Sequence, residues 1–252
     1  MTEEKTYIYG KHAVAEALKN TPKAIEKIFL DERFSDAEIK GLIQKSNILT
    51  AELKAGKISH EIYETAVHQG IVAVMSPKNV VRQYKEFIQS LDVTPDIALV
   101  LLNEIQDPQN VGAIIRSAAA FGIAGVLMPS RNQGLVTGAV AKTSVGMAFR
   151  IPVVEVGNVN TTLLDLKDKG FWIYGLDGES PTPITEEKFE APTVFVLGNE
   201  AEGIRAKTLE TCDIVLSIPT HPQCESLNAA ASAAVALYTW STLHPNAITP
   251  KK

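Results

Sequence analysis

The chain has 252 residues, of which 45% are hydrophobic and 21% charged, with a formal net charge of −5 at pH 7. That length permits one large or two modest domains with a real core. The acidic balance argues against a general nucleic-acid coat but leaves room for a local basic patch.

The start, MTEEKTYIYG, has no apolar signal core, and no segment approaches the roughly 20 apolar residues of a membrane span. Cys212 and Cys224, the only cysteines, lack metal-ligand spacing, which predicts free thiols in a reducing cytoplasm. Residues 9–20 (YGKHAVAEALKN) have helical spacing, with Val14, Leu18 and several alanines on one side. A strand KIFL, a helix DAEIKGLIQKSN, a strand ILTAEL, a helical stretch near 59–65 and a strand IVAVM follow. This alternation implies a small layered α/β fold that ends near Ser76-Pro77. Residues 78–94 read as a polar helix or linker. The reading gives a small domain over 1–76, a linker over 77–94 and a second α/β domain over 95–252.

The second domain opens with IALVLLNEI, a strand apolar on both faces as in a parallel sheet. DPQN is a turn, VGAIIRSAAAF a helix closed by Gly122, and AGVLMP the next strand of a βαβ unit. A Gly/Ala-rich stretch, GAVAKTSVGMAF, leads to the strand RIPVVEV, then the helix TTLLDLKDK and the strand FWIYGLD. VFVLGNEAEG and IVLSIPT are further buried strands, each delivering a polar loop. The second loop, THPQCE, runs into the Ala-rich helix ESLNAAASAAVALYTW.

Three places hold candidate chemistry, because loops at strand ends expose main-chain amides on a rigid frame. Asn110 sits at the strand-to-helix turn, where its ordinary role is an N-cap. Arg116, six residues on, lies in an otherwise apolar helix. It is either a surface arginine or a guanidinium awaiting an anion. In LGNEAEG, Gly198 and Gly203 have phosphate-loop spacing, but Ile204-Arg205 follows instead of Lys-Ser/Thr, so a Walker A loop is excluded. No GxGxxG follows the first strand, which weakens a dinucleotide site. Glu200 and Glu202 could form a solvated acidic turn. Ser226 could be a helix cap, and the small-sided helix after Asn228 must pack close to other backbone. The five histidines do not fall at ligand spacing, so no metal site is expected.

NEIQDPQNVGAIIRSAAAFG, VFVLGNEAEGI and LSIPT…ESLNAAASAAVALY, in that order, resemble the three motifs of the SpoU (TrmH-like) RNA ribose 2′-O-methyltransferases. YGKHAVAEAL and AVHQGIVAV are similar to that family's substrate-binding domain, an arrangement closest to RlmB-type enzymes that methylate a guanosine of 23S ribosomal RNA. The resemblance implies a SPOUT-type α/β fold with a parallel sheet and a deep C-terminal trefoil knot, preceded by a small α/β substrate-binding domain. It implies a cytoplasmic homodimer that uses S-adenosyl-L-methionine and acts on 23S RNA or a ribosomal precursor, with no membrane association. A transfer-RNA guanosine enzyme and a non-catalytic ribosome-assembly factor of the same fold are the alternatives.

Carried onto this chain, the cofactor pocket comprises Leu197, Gly198, Asn199, Ser217, Ile218 and Leu227, gripping mainly through backbone. The catalytic set is Asn110, Arg116, Glu200, Ser226 and Asn228. A guanidinium is a poor proton acceptor, so Arg116 is read as holding the target phosphate and offsetting alkoxide charge. Glu200 is the better-matched acceptor, or an anchor for Arg116 or Asn110. Ser226 and Asn228 position the ribose or the methionine end. Lys11, His12 and Lys142, with Arg116, are the RNA-contacting candidates. Arg82 and Lys85 in the linker are further ones, and Ser144 beside Lys142 could equally close a subunit interface. Thr220 and Pro222 replace a Met and a Gly common in relatives, so an altered loop shape is expected there.

Overall fold

A computed structural model describes residues 6–58, 60–130, 136–199, 202–224 and 226–249. It divides the chain into two units, one formed by Met1–Val81 with Leu135–Arg150, the other by Arg82–Gly134 with Ile151–Lys252.

The first unit is built from β1 (Thr6–Tyr9), α1 (Lys11–Asn20), β2 (Ile25–Leu30), α2 (Ala37–Ser46), β3 (Leu49–Glu52), α3 (His60–Thr65) and β4 (Ile71–Met75). The sheet order is β1-β4-β2-β3, with β4 antiparallel to β1 and β2 and only β2–β3 parallel. IVAVM is buried at every position because it runs through the middle of that sheet. β1 escaped the sequence reading, which began the unit with a helix at Tyr9. Only Ile8 of its four residues is buried, so this edge strand shows too little alternation to be seen. Gly10, at φ 88°, turns the chain from β1 into α1. The Asp36 side chain caps α2 by accepting from the Ile39 amide at 3.2 Å, and Asn47 in the left-handed region closes it.

The second unit comprises β5 (Arg82–Gln83), α4 (Tyr84–Ser90), β6 (Ala98–Leu102), α5 (Pro108–Ala120), β7 (Gly125–Pro129), β8 (Val153–Val156), α7 (Val159–Asp168), β9 (Trp172–Leu176), β10 (Thr193–Leu197), α8 (Ala206–Leu209), β11 (Ile214–Leu216), α9 (Ala229–Leu243) and α10 (Pro245–Ile248). Its seven strands are parallel, in the order β11-β9-β10-β6-β7-β8-β5. β6, β7 and β10 are buried throughout, as two-sided strands of a parallel sheet must be. The chain moves outward from β6 to β7 and β8, then returns to the other side of β6. Strand order therefore reverses between β6 and β10, and the loops beyond their carboxyl ends flank a crevice.

From Arg82 on, the stretch read as a polar helix or linker is part of this unit, while the residues up to Val81 belong to the first. Phe87 and Ile88 of α4 enter its core, and the Tyr84 hydroxyl donates to Asp165 Oδ2 of α7 at 2.5 Å. Burial and that carboxylate both raise the Tyr84 pKa, so the phenol stays a donor.

The Gly/Ala-rich stretch after β7 forms α6 (Gly138–Thr143) and packs on β1 and α1 of the first unit. A Cβ on Gly138 would strike the Tyr7 carbonyl, and one on Gly146 would meet the Glu16 side chain. Arg150 Nε lies 3.4 Å from Glu16 Oε2, and Lys142 Nζ sits 5.3 Å from the centre of the Tyr9 ring. The small residues of this stretch are thus a packing requirement. Gly138→Ala tests it, because alanine favours helix by about 1 kcal/mol whereas the clash costs about 1–3 kcal/mol. Net destabilisation in urea denaturation is the expected result; a more stable variant would show that β1 and α6 are not in that contact.

Candidate functional site

Because β6 and β10 are adjacent and parallel, with Leu197 opposite Leu102, the loops after them leave the sheet together. The Asn103 amide donates to the Leu197 carbonyl at 2.8 Å, and Asn199 Nδ2 donates to the Glu104 carbonyl at 2.9 Å. Arg205 reaches across as well, 2.8 Å from Glu104 Oε2. Glu104 adopts φ 66°, a conformation costly for a non-glycine residue and held here by these contacts. Asn199 and Gly203 exchange main-chain bonds of 3.0 and 2.9 Å, closing a small hairpin. Gly198 is required under it, since a Cβ there would collide with the main chain of Gly203 and Ile204.

The first and third motifs meet directly. The Asn228 Oδ1 atom caps α9, accepting from the Ala230 and Ala231 amides at 2.9 and 3.3 Å. Its Nδ2 is left to donate to Asn110 Oδ1, at 2.9 Å. The cap thereby fixes which end of each amide faces the other. Farther along, Phe121 and Tyr238 make an edge contact at 5.7 Å, so α5 and α9 run side by side in the same direction.

Two expected caps are corrected by this geometry. Asp107, not Asn110, caps α5 by accepting from the Gln109 amide at 2.9 Å, with Pro108 in the first turn. Asn110 is the third helical residue and is nearly buried. Asn228, not Ser226, caps α9; Ser226 precedes the helix and is exposed. Arg116 is exposed and has no partner among the described residues. Six residues separate it from Asn110, so it points about 120° away around the helix. Glu200 lies outside the described residues.

The proposed cofactor segments divide by the state of their main chain. Both main-chain groups of Asn199 are bonded within the hairpin. Ser217 is bonded on both sides too: its amide donates to the Thr182 carbonyl at 2.8 Å, and its carbonyl accepts from the Ile184 amide at 2.8 Å. The Leu197 carbonyl is taken by Asn103. Among the described residues, however, the main-chain groups of Gly198, Ile218 and Leu227 make no hydrogen bond. Gly198 and Ile218 are half-buried, where such groups ordinarily find a partner. Asn103 is 3% exposed, and its Nδ2 atom also lacks one among the described residues. Open main-chain groups at the carboxyl ends of β10 and β11 are of the kind that can grip a polar ligand through backbone.

Sequence reasoning missed Asn103, Glu104, Arg205 and Thr182, which bind the two loops and the edge strand to each other. NE at the end of the first strand was the only signal for the first pair. Lys11, His12 and Lys142 belong to the other unit. Lys11 is engaged, its Nζ 3.5 Å from Asp36 and 5.5 Å from the centre of the Phe34 ring, while His12 is exposed. Among the described residues no cluster of potential metal ligands occurs.

The asparagine pair should be measurable in solution. Asn228→Ala should cost about 1 kcal/mol as a lost cap. A double-mutant cycle with Asn110→Ala should give a coupling energy of about 0.5–1.5 kcal/mol by denaturant unfolding. Strict additivity would mean that the bond does not form.

Comparison with known proteins agrees with this architecture. Residues 97–238 match the SpoU rRNA Methylase family, and residues 7–81 match a domain described as RNA 2′-O ribose methyltransferase substrate binding. The 23S rRNA (guanosine-2′-O-)-methyltransferase RlmB of Pseudomonas putida is 33% identical over 238 residues, covering 92% of this chain and 94% of its own. A Staphylococcus aureus protein assigned to the TrmH family of tRNA/rRNA methyltransferases is 31% identical over 242 residues, covering 93% and 95%. The SpoU methyltransferase AviRb from Streptomyces viridochromogenes, solved with the cofactor AdoMet, shares the fold with a TM-score of 0.80 at 20% identity, over 96% of this chain and 91% of that one. With more than half of its length matched by the family and near-complete alignment to these relatives, the chain belongs to the SpoU rRNA methylase family.

Proposed function

We propose that this protein is an S-adenosylmethionine-dependent methyltransferase acting on the ribose 2′-hydroxyl of a guanosine in 23S ribosomal RNA, in the cytoplasm. The observation that carries the reading is the Asn110–Asn228 bond, which joins the first and third motifs; main-chain groups of Gly198, Ile218 and Leu227 that are open among the described residues support it. Near-complete alignment with RlmB-named relatives, including the amino-terminal unit, favours ribosomal over transfer RNA. The same reading carries a deep C-terminal trefoil knot with α9 as its threaded helix.

Bound S-adenosylmethionine supplies a sulfonium methyl group. The chain's part is to hold the acceptor and manage one proton. Gly198, Ile218 and Leu227 would hold the cofactor through main-chain groups. A neutral hydroxyl is a weak nucleophile, so it must be oriented and must lose its proton as it reacts. Glu200 takes that proton, because its intrinsic pKa suits an acceptor and that of a guanidinium does not. Arg116, exposed and without an internal partner, binds the target phosphate and offsets negative charge developing on the oxygen. Asn110, oriented by Asn228, and Ser226 place the ribose.

The chain acts as a homodimer in this reading. Val235 and Tyr238 are 39% and 58% exposed on α9, beside Phe121 of α5, and supply an apolar face for a second copy.

Mapping ribose methylation across ribosomal and transfer RNA after deletion of the gene should show loss of a single 23S guanosine mark. An unchanged map would remove the assignment. Arg116→Lys should lower turnover about 100-fold or more with cofactor affinity unchanged, and near-normal turnover would take Arg116 out of the chemistry. Thiol labelling gives a readout independent of activity. Burial pushes the Cys212 thiol up to about 12, so only exposed Cys224 should react with a disulfide reagent near neutral pH. S-adenosylmethionine should slow that reaction, since Cys224 Sγ lies 3.5 Å from the Ser226 carbonyl beside the crevice. An unaltered labelling rate at saturating cofactor would argue against this pocket.

A further inference from the structure

In the first unit, β4 runs antiparallel to β1 and β2, so its start lies at their carboxyl ends. Three segments meet there: the start of α1, the loop from β2 to α2, and the turn from α3 to β4. The last is firmly pinned. Gln69 Oε1 accepts from the Lys11 amide at 2.9 Å, and the Asp31 amide donates to the Gly70 carbonyl at 2.9 Å. Gln69 and Gly70 both have positive φ, 52° and 79°, and Gly70 fits against Asp31 and Phe34.

On this rigid turn Val67 is 66% exposed. Beside it, the His68 ring stacks on Tyr63, with centroids 6.3 Å apart and planes at 24°. His68 Nδ1 accepts from the Gly70 amide at 3.1 Å, so in the neutral ring the proton sits on Nε2. The side therefore offers an aliphatic contact, an oriented ring and one fixed N–H donor. Lys11, His12 and Arg33 flank it from the two neighbouring segments. The nearby acids are Asp31, Glu32, Asp36 and, on α3, Glu64. Asp31 accepts from the Arg33 amide at 2.9 Å, and Asp36 is occupied by its cap and by Lys11, leaving Glu32 and Glu64 as the exposed ones. That is too little positive charge to track a duplex, and enough only for a single phosphate beside an unpaired base.

We propose that Val67 and His68, with the cations of the adjoining loops, form a docking surface for an unpaired base of the RNA substrate. The surface rests on the reading of the chain as an RNA methyltransferase and on the match of residues 7–81 to a substrate-binding domain. The base would lie against Val67 and the edge of the His68–Tyr63 stack, with its phosphate toward Arg33 and His12. Recognition of splayed bases in this way is how single-stranded loops are told from helices.

Fluorescence anisotropy with the whole chain tests this, using a fluorescein-labelled single-stranded RNA 12-mer of mixed sequence and a duplex of the same length. Val67→Ser should weaken single-strand binding about fivefold or more and leave duplex binding within about twofold, as stacking contributions of this size predict. Val67→Ile, which keeps the apolar contact and the turn, should bind like the parent. Arg33→Ala should reduce the slope of log affinity against log salt by about 0.7, the share of one phosphate contact. Equal binding by Val67→Ser and the parent, equal loss for both RNAs, or no single-strand binding by the parent would each overturn the proposal. Unchanged RNA binding with lost association to ribosomal subunits would overturn it too and reassign the surface to a protein. Methyl transfer to an unmodified 23S transcript is measured separately. Its absence in the parent would remove the enzymatic reading, while the binding comparison would still decide this one.

Discussion

The in-register parallel pairing of β6 with β10 is the constraint on which the site depends. Thr193 lies opposite Ala98 and Leu197 opposite Leu102, so two loops far apart in sequence leave the sheet at the same edge and height. Their residues can then bond without long side chains: Asn103 to Leu197, Asn199 to Glu104, Arg205 to Glu104. The pairing is robust because Leu99, Leu101, Val194 and Val196 all enter one apolar core with α4 and α7. A register slip of one residue would turn that set to the opposite face.

Asn228 shows how stability and recognition share one side chain. Ser, Thr or Asp would cap α9 about as well, since the cap needs only an oxygen acceptor. An aspartate would offer no donor, and a hydroxyl would have to cap and donate through one oxygen, whereas the amide has a separate Nδ2 atom for Asn110 Oδ1. Asn110 is nearly buried in an otherwise apolar helix, where matching its polar atoms lowers the cost of burial. The preference for asparagine at 228 follows from hydrogen-bond valence, whatever the substrate.

The apolar runs were legible because parallel strands buried on two faces read as unbroken hydrophobic segments, and β4, β6, β7 and β10 fall where IVAVM, IALVLL, AGVLMP and VFVL place them. What failed was local competition and tertiary packing. Asp107 and Asn110 are both plausible caps three residues apart, and Pro108 decides for Asp107 by fitting the first turn. Ser226 and Asn228 pose the same ambiguity, resolved by a partner in α5 that no local pattern could reveal. The Gly138 and Gly146 stretch read as an RNA contact or a subunit interface, yet its small residues answer to Tyr7 and Glu16, more than 100 positions earlier. The site residues drew on a family resemblance, whereas Glu104 and Arg205 carried no signal because their meaning lies in the loop-to-loop contact.

Neighbouring contacts also explain how these strand ends keep main-chain groups open among the described residues. A loop with unmatched amides tends to rearrange until it finds internal partners. Here the neighbours of each open position are anchored: Asn199 in the hairpin beside Gly198, and Ser217 in bonds to Thr182 and Ile184 beside Ile218. The unusual φ of Glu104, worth roughly 1–3 kcal/mol of strain, is held by the same bonds. Freezing the flanks keeps the main-chain groups of Gly198 and Ile218 open among the described residues. Under the proposed reading, a ligand that supplied those partners would displace no existing bonds and would gain affinity from order already present in the fold.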